Sequence, residues 1–458
     1  MSQGSKFPVE IFSLILNDPS IENETLLQCS LVSKNWSECC QPRLFHNIVV
    51  KIPEGEDRTS PFFAFLQNFP STPKIRGYVQ SLSFQNWNYP FEEDRWAESD
   101  DEPKAWQAEV DVSFFAKVLE NFPQLNTLDL RWVTLLTSNT TADLVATAAK
   151  RDLKMLSIRD VHVRGDLSSL AHFLRLFSSI ERLKMHHLAW WSWVTWNDQL
   201  TDSQLSKIPS DLRITAAEIS TEQYEEIPVA PNSIKTSLKV LTHVHIPTLT
   251  SLDIRFGLMH LESVPEFVEF MVKVGGNLKH LGLDEYTMQL AGDEDEYYGG
   301  TYTEFWDSLD LTTACSSLES FAVTLGMESR RDSGNDQDDL DYTENSPWKF
   351  LEIILHSVPK TISEMTWKLQ LEPIYNDDEG TFLGPEEIWD GINSALDSFE
   401  NLEHLRIVSS YVDGGRLGGP RLLTDSEKVR VRERLPSADS RSLLEFTEVI
   451  SPRYELRP

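Results

Sequence analysis

One spacing pattern constrains the fold of this 458-residue chain more than any other feature. Triplets of apolar residues in the spacing L-x-x-L-x-L occur nine times along the chain. The second and third residues of each triplet are separated by a single residue, so apolar and intervening positions alternate. Such alternation is typical of a β-strand that buries one face. The nine triplets are Val79-Leu82-Phe84, Leu125-Leu128-Leu130, Leu153-Leu156-Ile158, Ile180-Leu183-Met185, Leu249-Leu252-Ile254, Leu278-Leu281-Leu283, Leu318-Phe321-Val323, Ile362-Met365-Trp367 and Leu402-Leu405-Ile407.

Helical patterns precede most of these triplets. A helix followed by a strand, repeated along the chain, predicts an α/β fold of stacked units, with a parallel sheet on one side and helices on the other. The predicted helices are Val112 to Asn121, Asp143 to Lys150, Leu167 to Phe177, Glu266 to Val274, Tyr302 to Ala314, Trp348 to His356 and Pro385 to Ser398. The long gap between the fourth and fifth triplets has room for further degenerate units, such as Leu212-Ile214 and Leu238-Leu241.

Charge and composition divide the chain into four parts. The net charge is -31, and nearly all of it lies after the first 52 residues. We predict a helical module at 1–52, a helical connector at 53–78, the repeats with acidic loop insertions at 79–415, and a C-terminal cap or tail at 416–458.

The N-terminal module is predicted to contain three short helices. The second is expected to end at Pro42, and the third to carry Leu44, Phe45 and Ile48. Fifty residues bury little apolar surface alone, so this module should pack against a partner or against the next domain. The candidate contact residues are Phe7, Pro8, Ile11, Leu14, Leu31, Val32 and Trp36. An interface role is favoured for Pro8, Leu31 and Val32, whereas a core role is favoured for Leu14, Ile15 and Trp36.

The composition argues against several classes of function. A surface this acidic repels phosphate backbones and anionic lipids, so we expect neither nucleic acid nor membrane as a partner. Four scattered cysteines form neither a disulfide framework nor a metal pattern, and they indicate a reducing compartment, cytoplasmic or nuclear. Nucleophile, nucleotide and zinc motifs are absent, so we expect no enzyme, no metal and no cofactor. The acidic run 332–344 lacks the glycine and glutamate of a calcium loop.

Aromatic residues are concentrated in the segment Trp190 to Trp196. They could form a recognition platform, because aromatic side chains dominate interaction hot spots. They could equally be a strand packed under a long insertion, and we favour this structural interpretation.

The N-terminal residues resemble an F-box. That pattern is matched by Phe7-Pro8-Val9-Glu10-Ile11, Leu14-Ile15, Cys29-Ser30-Leu31-Val32-Ser33-Lys34-Asn35-Trp36 and Leu44-Phe45, with Phe7 where leucine is common. The triplets are spaced 27 to 29 residues apart where they are closest, as in long leucine-rich repeats. The layout is similar to fungal F-box proteins of the expanded basidiomycete kind, with an irregular leucine-rich-repeat solenoid after a three-helix F-box.

This resemblance implies a non-enzymatic substrate receptor of a Skp1–cullin–F-box ubiquitin ligase. The F-box would bind a Skp1-like adaptor, and through it a cullin, while the repeats would hold an unknown protein target. The acidic repeats favour a basic surface on that target. The alternative is a leucine-rich-repeat scaffold without a ligase role.

Overall fold

The computed structural model describes residues 15–16, 18, 20–52, 73–86, 108–137, 145, 147–159, 161–163, 168–186, 202–220, 232–255, 264–284, 310–327, 347–371, 383, 386–411 and 422–450. The chain divides into two compact units, 1–214 and 215–458, called unit 1 and unit 2 below. The predicted segments 53–72, 190–196, 332–344 and 414–419 lie outside the described residues.

Unit 1 contains a parallel sheet of five strands in the order β1-β2-β4-β6-β8. Leu82 pairs with Ile48 on one side and with Leu128 on the other, so the triplets of neighbouring strands lie side by side. The strands are β1 Asn47–Ile52, β2 Ser81–Asn86, β4 Thr127–Arg131, β6 Arg151–Arg159 and β8 Phe177–His186.

A second, three-stranded parallel sheet lies in unit 1 and was not predicted. It has the order β3-β5-β7, with β3 Ala108–Asp111, β5 Val133–Leu136 and β7 His162–Val163. Trp132 separates β4 from β5 and has φ of 54°, a left-handed conformation that turns the chain from one sheet into the other.

The helices of unit 1 include a layer that packs on the apolar side of the main sheet. They are α1 Asn23–Ser30, α2 Lys34–Leu44, α3 Pro73–Arg76, α4 Val112–Asn121, α5 Ser168–Leu174 and α6 Asp202–Leu205. Edge-to-face contacts between phenylalanine rings join this layer to the strands: Phe84 of β2 lies 5.7 Å from Phe115 of α4, which lies 5.1 Å from Phe173 of α5. Such pairs add to the stability that burial provides.

Unit 2 contains a parallel run of seven strands in the order β9 to β15. The strands are β9 Arg213–Ser220, β10 Ser251–Arg255, β11 His280–Asp284, β12 Ser320–Met327, β13 Glu364–Leu371, β14 His404–Tyr411 and β15 Leu444–Ile450. β9 begins just before the boundary between the units. Its residues Ala217 and Ile219 pair with Leu252 and Ile254, so β9 carries the degenerate repeat expected near Leu212-Ile214.

The helices of unit 2 follow the same plan. They are α7 Asn232–His243, α8 Val264–Val274, α9 Leu311–Ala314, α10 Pro347–Ser357, α11 Glu386–Asp397, α12 Asp425–Arg434 and α13 Pro436–Ser440. Buried tryptophans anchor this layer, since Trp348 of α10 contacts both Trp367 of β13 and Trp389 of α11.

The predicted α/β class is confirmed, because the last two residues of each of the nine triplets lie on parallel strands and all of the triplet residues are buried. Three local predictions were wrong. Leu238 and Leu241 lie in helix α7, where their spacing suits one helical face. Pro42 lies inside α2, in its last turn, instead of ending the helix. Ile48 belongs to strand β1, since it pairs with Leu82.

Candidate protein-docking face

Helices α1 and α2 form a small helical pair ahead of the first strand. Ser33 begins α2, and its hydroxyl accepts a hydrogen bond from the backbone N–H of Trp36 at 3.3 Å. A serine in this position satisfies an N–H group that has no partner within the helix. Leu31 and Val32 therefore lie in the tight connection between the two helices.

A separate apolar core lies within this pair. Among the described residues, its fully buried members are Leu16, Leu26 and Cys40. The half-buried residues that pack against them are Ile21, Cys29, Trp36, Cys39 and Leu44. Burial raises the pKa of the Cys40 thiol, as expected for a cysteine that acts as a small apolar residue.

Arg43 fixes the segment that precedes α1. Its guanidinium donates to the carbonyl oxygens of Leu16 at 2.8 Å, Asp18 at 2.5 Å and Ile21 at 2.5 Å. Hydrogen bonds from a charged donor are stronger than neutral ones. The last turn of α2 thus holds the 16–21 segment in place. Ser20 donates from its hydroxyl and its N–H to the Asp18 carboxylate and lowers the pKa of that group.

Large apolar side chains on this module face the solvent. Leu31 is 75% exposed, Val32 67%, Ile15 54% and Leu27 52%. Leu27 and Leu31 are four residues apart, so they lie on the same face at the end of α1. Among the described residues, eight large apolar side chains are strongly exposed, and five of them lie between Ile15 and Val49. We call Ile15, Leu27, Leu31 and Val32 the N-terminal apolar set.

The sequence-based assignments agree with this geometry in part. Trp36 packs against the core, as predicted, and Leu31 and Val32, for which an interface role is predicted, are exposed. The core role of Ile15 was wrong, because its neighbour Leu16 is the buried residue and Ile15 faces outward. The predicted contact residues Phe7, Pro8, Ile11 and Leu14 lie outside the described residues. Leu27 was not among the predicted contacts, although its spacing to Leu31 could have identified it.

The helical pair is joined closely to the sheet. α2 ends at Leu44 and β1 begins at Asn47. The carbonyl oxygen of His46, between them, accepts hydrogen bonds from the N–H groups of Gln80 and Ser81, both at 3.0 Å. The exposed apolar set is therefore attached to the first strands by a short, hydrogen-bonded connection.

The described parts of the chain contain no group of three or more histidine, cysteine or carboxylate side chains that could hold a metal ion. None of the described helices combines the length and the apolar character that crossing a membrane requires. No protein-family model matches the chain, and no curated protein is similar to it.

Proposed function

We propose that this chain is a non-enzymatic F-box substrate receptor. Its N-terminal module would dock on a Skp1-like adaptor, and through it on a cullin, while the parallel sheet would hold a protein target. The exposure of the N-terminal apolar set carries this proposal. Apolar side chains that water would otherwise surround are stabilised when a partner covers them.

The size of the module supports the same conclusion. Among the described residues, three are fully buried in the helical pair, whereas four large apolar side chains of the same module remain more than half exposed. The side chains that remain outside, Leu31 and Val32 foremost, belong to the segment that resembles the F-box. Burying one such side chain in a partner contributes about 1.5 to 3 kcal/mol.

The connection to the sheet suits a receptor as well. A two-residue link between α2 and β1 holds the docked adaptor close to the first strands. A target bound on the strands would then be tethered near the transferring subunits, which raises its effective concentration there.

The test is binding of the purified chain to a Skp1-type adaptor, measured by isothermal titration calorimetry. We expect Val32→Asp to weaken binding by at least about tenfold, because a carboxylate in an apolar contact must be desolvated. The matched control is Val272→Asp in helix α8, where the valine is 70% exposed against 67% for Val32. This control receives the same substitution at the same exposure and should keep full affinity.

The proposal fails if the unaltered chain does not bind the adaptor, or if both aspartate variants bind it equally well. A chain that co-purifies with a stable partner but never with a cullin would instead favour the scaffold function.

A further inference from the structure

Three of the four cysteines of the chain lie in the N-terminal helical pair. Cys29 belongs to the last turn of α1, and Cys39 and Cys40 belong to α2. Cys40 is buried in the core of the pair, whereas Cys29 and Cys39 pack against that core and stay partly exposed. All three are free thiols. The helical pair therefore contains a cluster of nucleophilic side chains that docking on an adaptor does not explain.

The electrostatics of Cys40 show that Cys29 lies near it. Burial is the largest cause that raises the pKa of the Cys40 thiol, and the negative charges of Cys29 and Cys39 as thiolates raise it further, that of Cys29 more than that of Cys39. The effect of a charge falls with distance. Cys39 is the neighbour of Cys40 in sequence, so Cys29 approaches Cys40 closely across the helical pair.

Backbone geometry selects which two sulfur atoms are able to bond. Consecutive Cα atoms are about 3.8 Å apart, whereas disulfides usually join Cα atoms about 4.4 to 6.8 Å apart. A bond between Cys39 and Cys40 within α2 is therefore unfavourable, and a bond must join the two helices. Neighbouring helical residues point in directions about 100° apart, and Cys40 is the one buried in the core against which Cys29 packs. The favoured pair is Cys29 and Cys40.

We propose that Cys29 and Cys40 form a reversible disulfide when the chain is exposed to a hydroperoxide. The sulfur atom of Cys29, which is partly exposed, attacks the peroxide and breaks the O–O bond. This step gives a sulfenic acid on Cys29 and releases water or an alcohol. The sulfur atom of Cys40 then attacks the Cys29 sulfur atom, and the hydroxyl group leaves as water with the Cys40 proton. The two thiols lose two electrons, which the peroxide gains, and a small thiol reverses the bond by exchange.

Cys315 shows that burial alone does not make such a site. It is buried in unit 2, where burial raises its pKa to about 12, and the other three cysteines of the chain all belong to unit 1. Cys40 differs because a second, partly exposed thiol packs beside it. In a reducing compartment, such as the one that the cysteine content indicates, a disulfide of this kind is transient and suits a sensor.

The disulfide would close a ring over residues 29–40, which includes Leu31 and Val32. Covalent contact requires α1 and α2 to approach more closely than they do with free thiols, and a packed core transmits such a shift to the connection between the helices. This consequence rests on the proposed function. We expect the oxidised chain to bind the Skp1-type adaptor more weakly than the reduced chain, by about threefold or more.

The test treats the full chain with hydrogen peroxide, digests it with trypsin without reduction, and identifies the peptides by mass spectrometry. Cleavage after lysine and arginine places Cys29 in the peptide 7–34 and both Cys39 and Cys40 in the peptide 35–43. We expect these two peptides to be linked within one molecule, and dithiothreitol to separate them.

The decisive variant is Cys40→Ala, which should abolish the link, because alanine keeps the position small and apolar but removes the sulfur atom. Its matched control is Cys39→Ala, the same substitution one residue away, which should keep the link. Cys29→Ala, at a partly exposed position, also removes the link and provides a test that does not alter a fully buried residue.

The inference is overturned if the peptides stay separate, if they are linked only between molecules, or if the link is lost in Cys39→Ala and kept in Cys40→Ala. Disulfide formation is measured on the chain alone, so it is independent of the adaptor. If the reduced chain does not bind the adaptor, the proposed function fails and the disulfide stands. If the disulfide forms and the affinity for the adaptor does not change, the effect on docking is refuted.

Discussion

The two units present strand faces of opposite character above similar cores. On the strands of unit 1, the residues that alternate with the buried ones include five lysines or arginines and one acidic residue, a formal charge of +4. The corresponding residues of unit 2, which form the unit 2 strand face, include three lysines or arginines and five acidic residues, a formal charge of -2. The unit 2 strand face is also internally paired: Arg255 lies 3.6 Å from Glu218, His280 3.4 Å from Asp253, and Arg406 3.5 Å from Glu445.

This difference shows that the charged and polar side chains on the strand face can change while the core residues stay apolar. The triplet residues face the helices and must be apolar, whereas the intervening residues can change without loss of packing. A repeat architecture can therefore carry strand faces of different formal charge on the same backbone plan.

The largest effect that we predict tests the similarity of the cores. Leu128 of β4 and Leu281 of β11 are the middle residues of their triplets, and both are fully buried. We expect Leu128→Ala and Leu281→Ala to lower the free energy of unfolding by about 3 kcal/mol each, since both leave a cavity. Urea denaturation monitored by circular dichroism measures this loss. A large effect in one unit only would show that the two cores are not equivalent.

Much of this similarity could be predicted from the sequence. The triplets identified nine strands because burial of one strand face produces an apolar residue at every second position. This period can be recognised in the sequence of one strand without knowing which strands pair with it. β1 and β15 were missed, since Ile48 follows a helical module and Leu444 follows a charged helix.

The face charges could not be predicted in the same way. Asp129 and Arg159 are thirty residues apart in sequence, and only strand pairing places them on the same strand face. The net charge of -31 averages over such local differences and pointed to a basic partner. On the N-terminal module, the exposure of Leu31 and Val32 is compatible with the interface role predicted from their pattern. Ile15 was misassigned because helical spacing alone does not tell which of two adjacent apolar residues faces the core.

The second prediction concerns a close approach within the unit 2 strand face. A Cβ atom on Gly282 would lie 2.1 Å from Oδ1 of Asp253, so any side chain there must displace that carboxylate. We expect Gly282→Ala to break the contact between Asp253 and His280 and to cost about 1 to 2 kcal/mol of stability. Gly276→Ala, where an added Cβ atom would meet nothing within 4 Å, is the control and should cost less than about 0.5 kcal/mol. Thermal unfolding compares the two, and equal costs would contradict the assigned crowding.

The third prediction concerns the pH dependence of the contact between Asp253 and His280. Burial raises the pKa of Asp253, but the hydrogen bond from His280 and the positive charges of His280, Lys368 and Arg255 lower it more, so the pKa lies below its usual value. A carboxyl group with a lowered pKa stabilises the fold above its unfolded-state pKa, and this contribution is lost as pH falls through the folded-state pKa. We expect Asp253→Asn to be less stable than the unaltered chain at neutral pH and to approach it in acid. Urea midpoints across the acid range measure this, and a constant difference at every pH would refute it.

The smallest effect should come from the exposed pairs that neutralise the unit 2 strand face. Glu445 lies 3.3 Å from His404 and 3.5 Å from Arg406, and all three side chains are about half exposed. Water and salt screen such pairs, so we expect Arg406→Gln to change the stability by less than about 0.5 kcal/mol. The same substitution frees Glu445 from one of its two partners and makes the face more negative. If Arg406→Gln instead destabilised the chain by as much as Gly282→Ala, these pairs would hold unit 2 together, and the strand faces of the two units would differ in structural role as well as in charge.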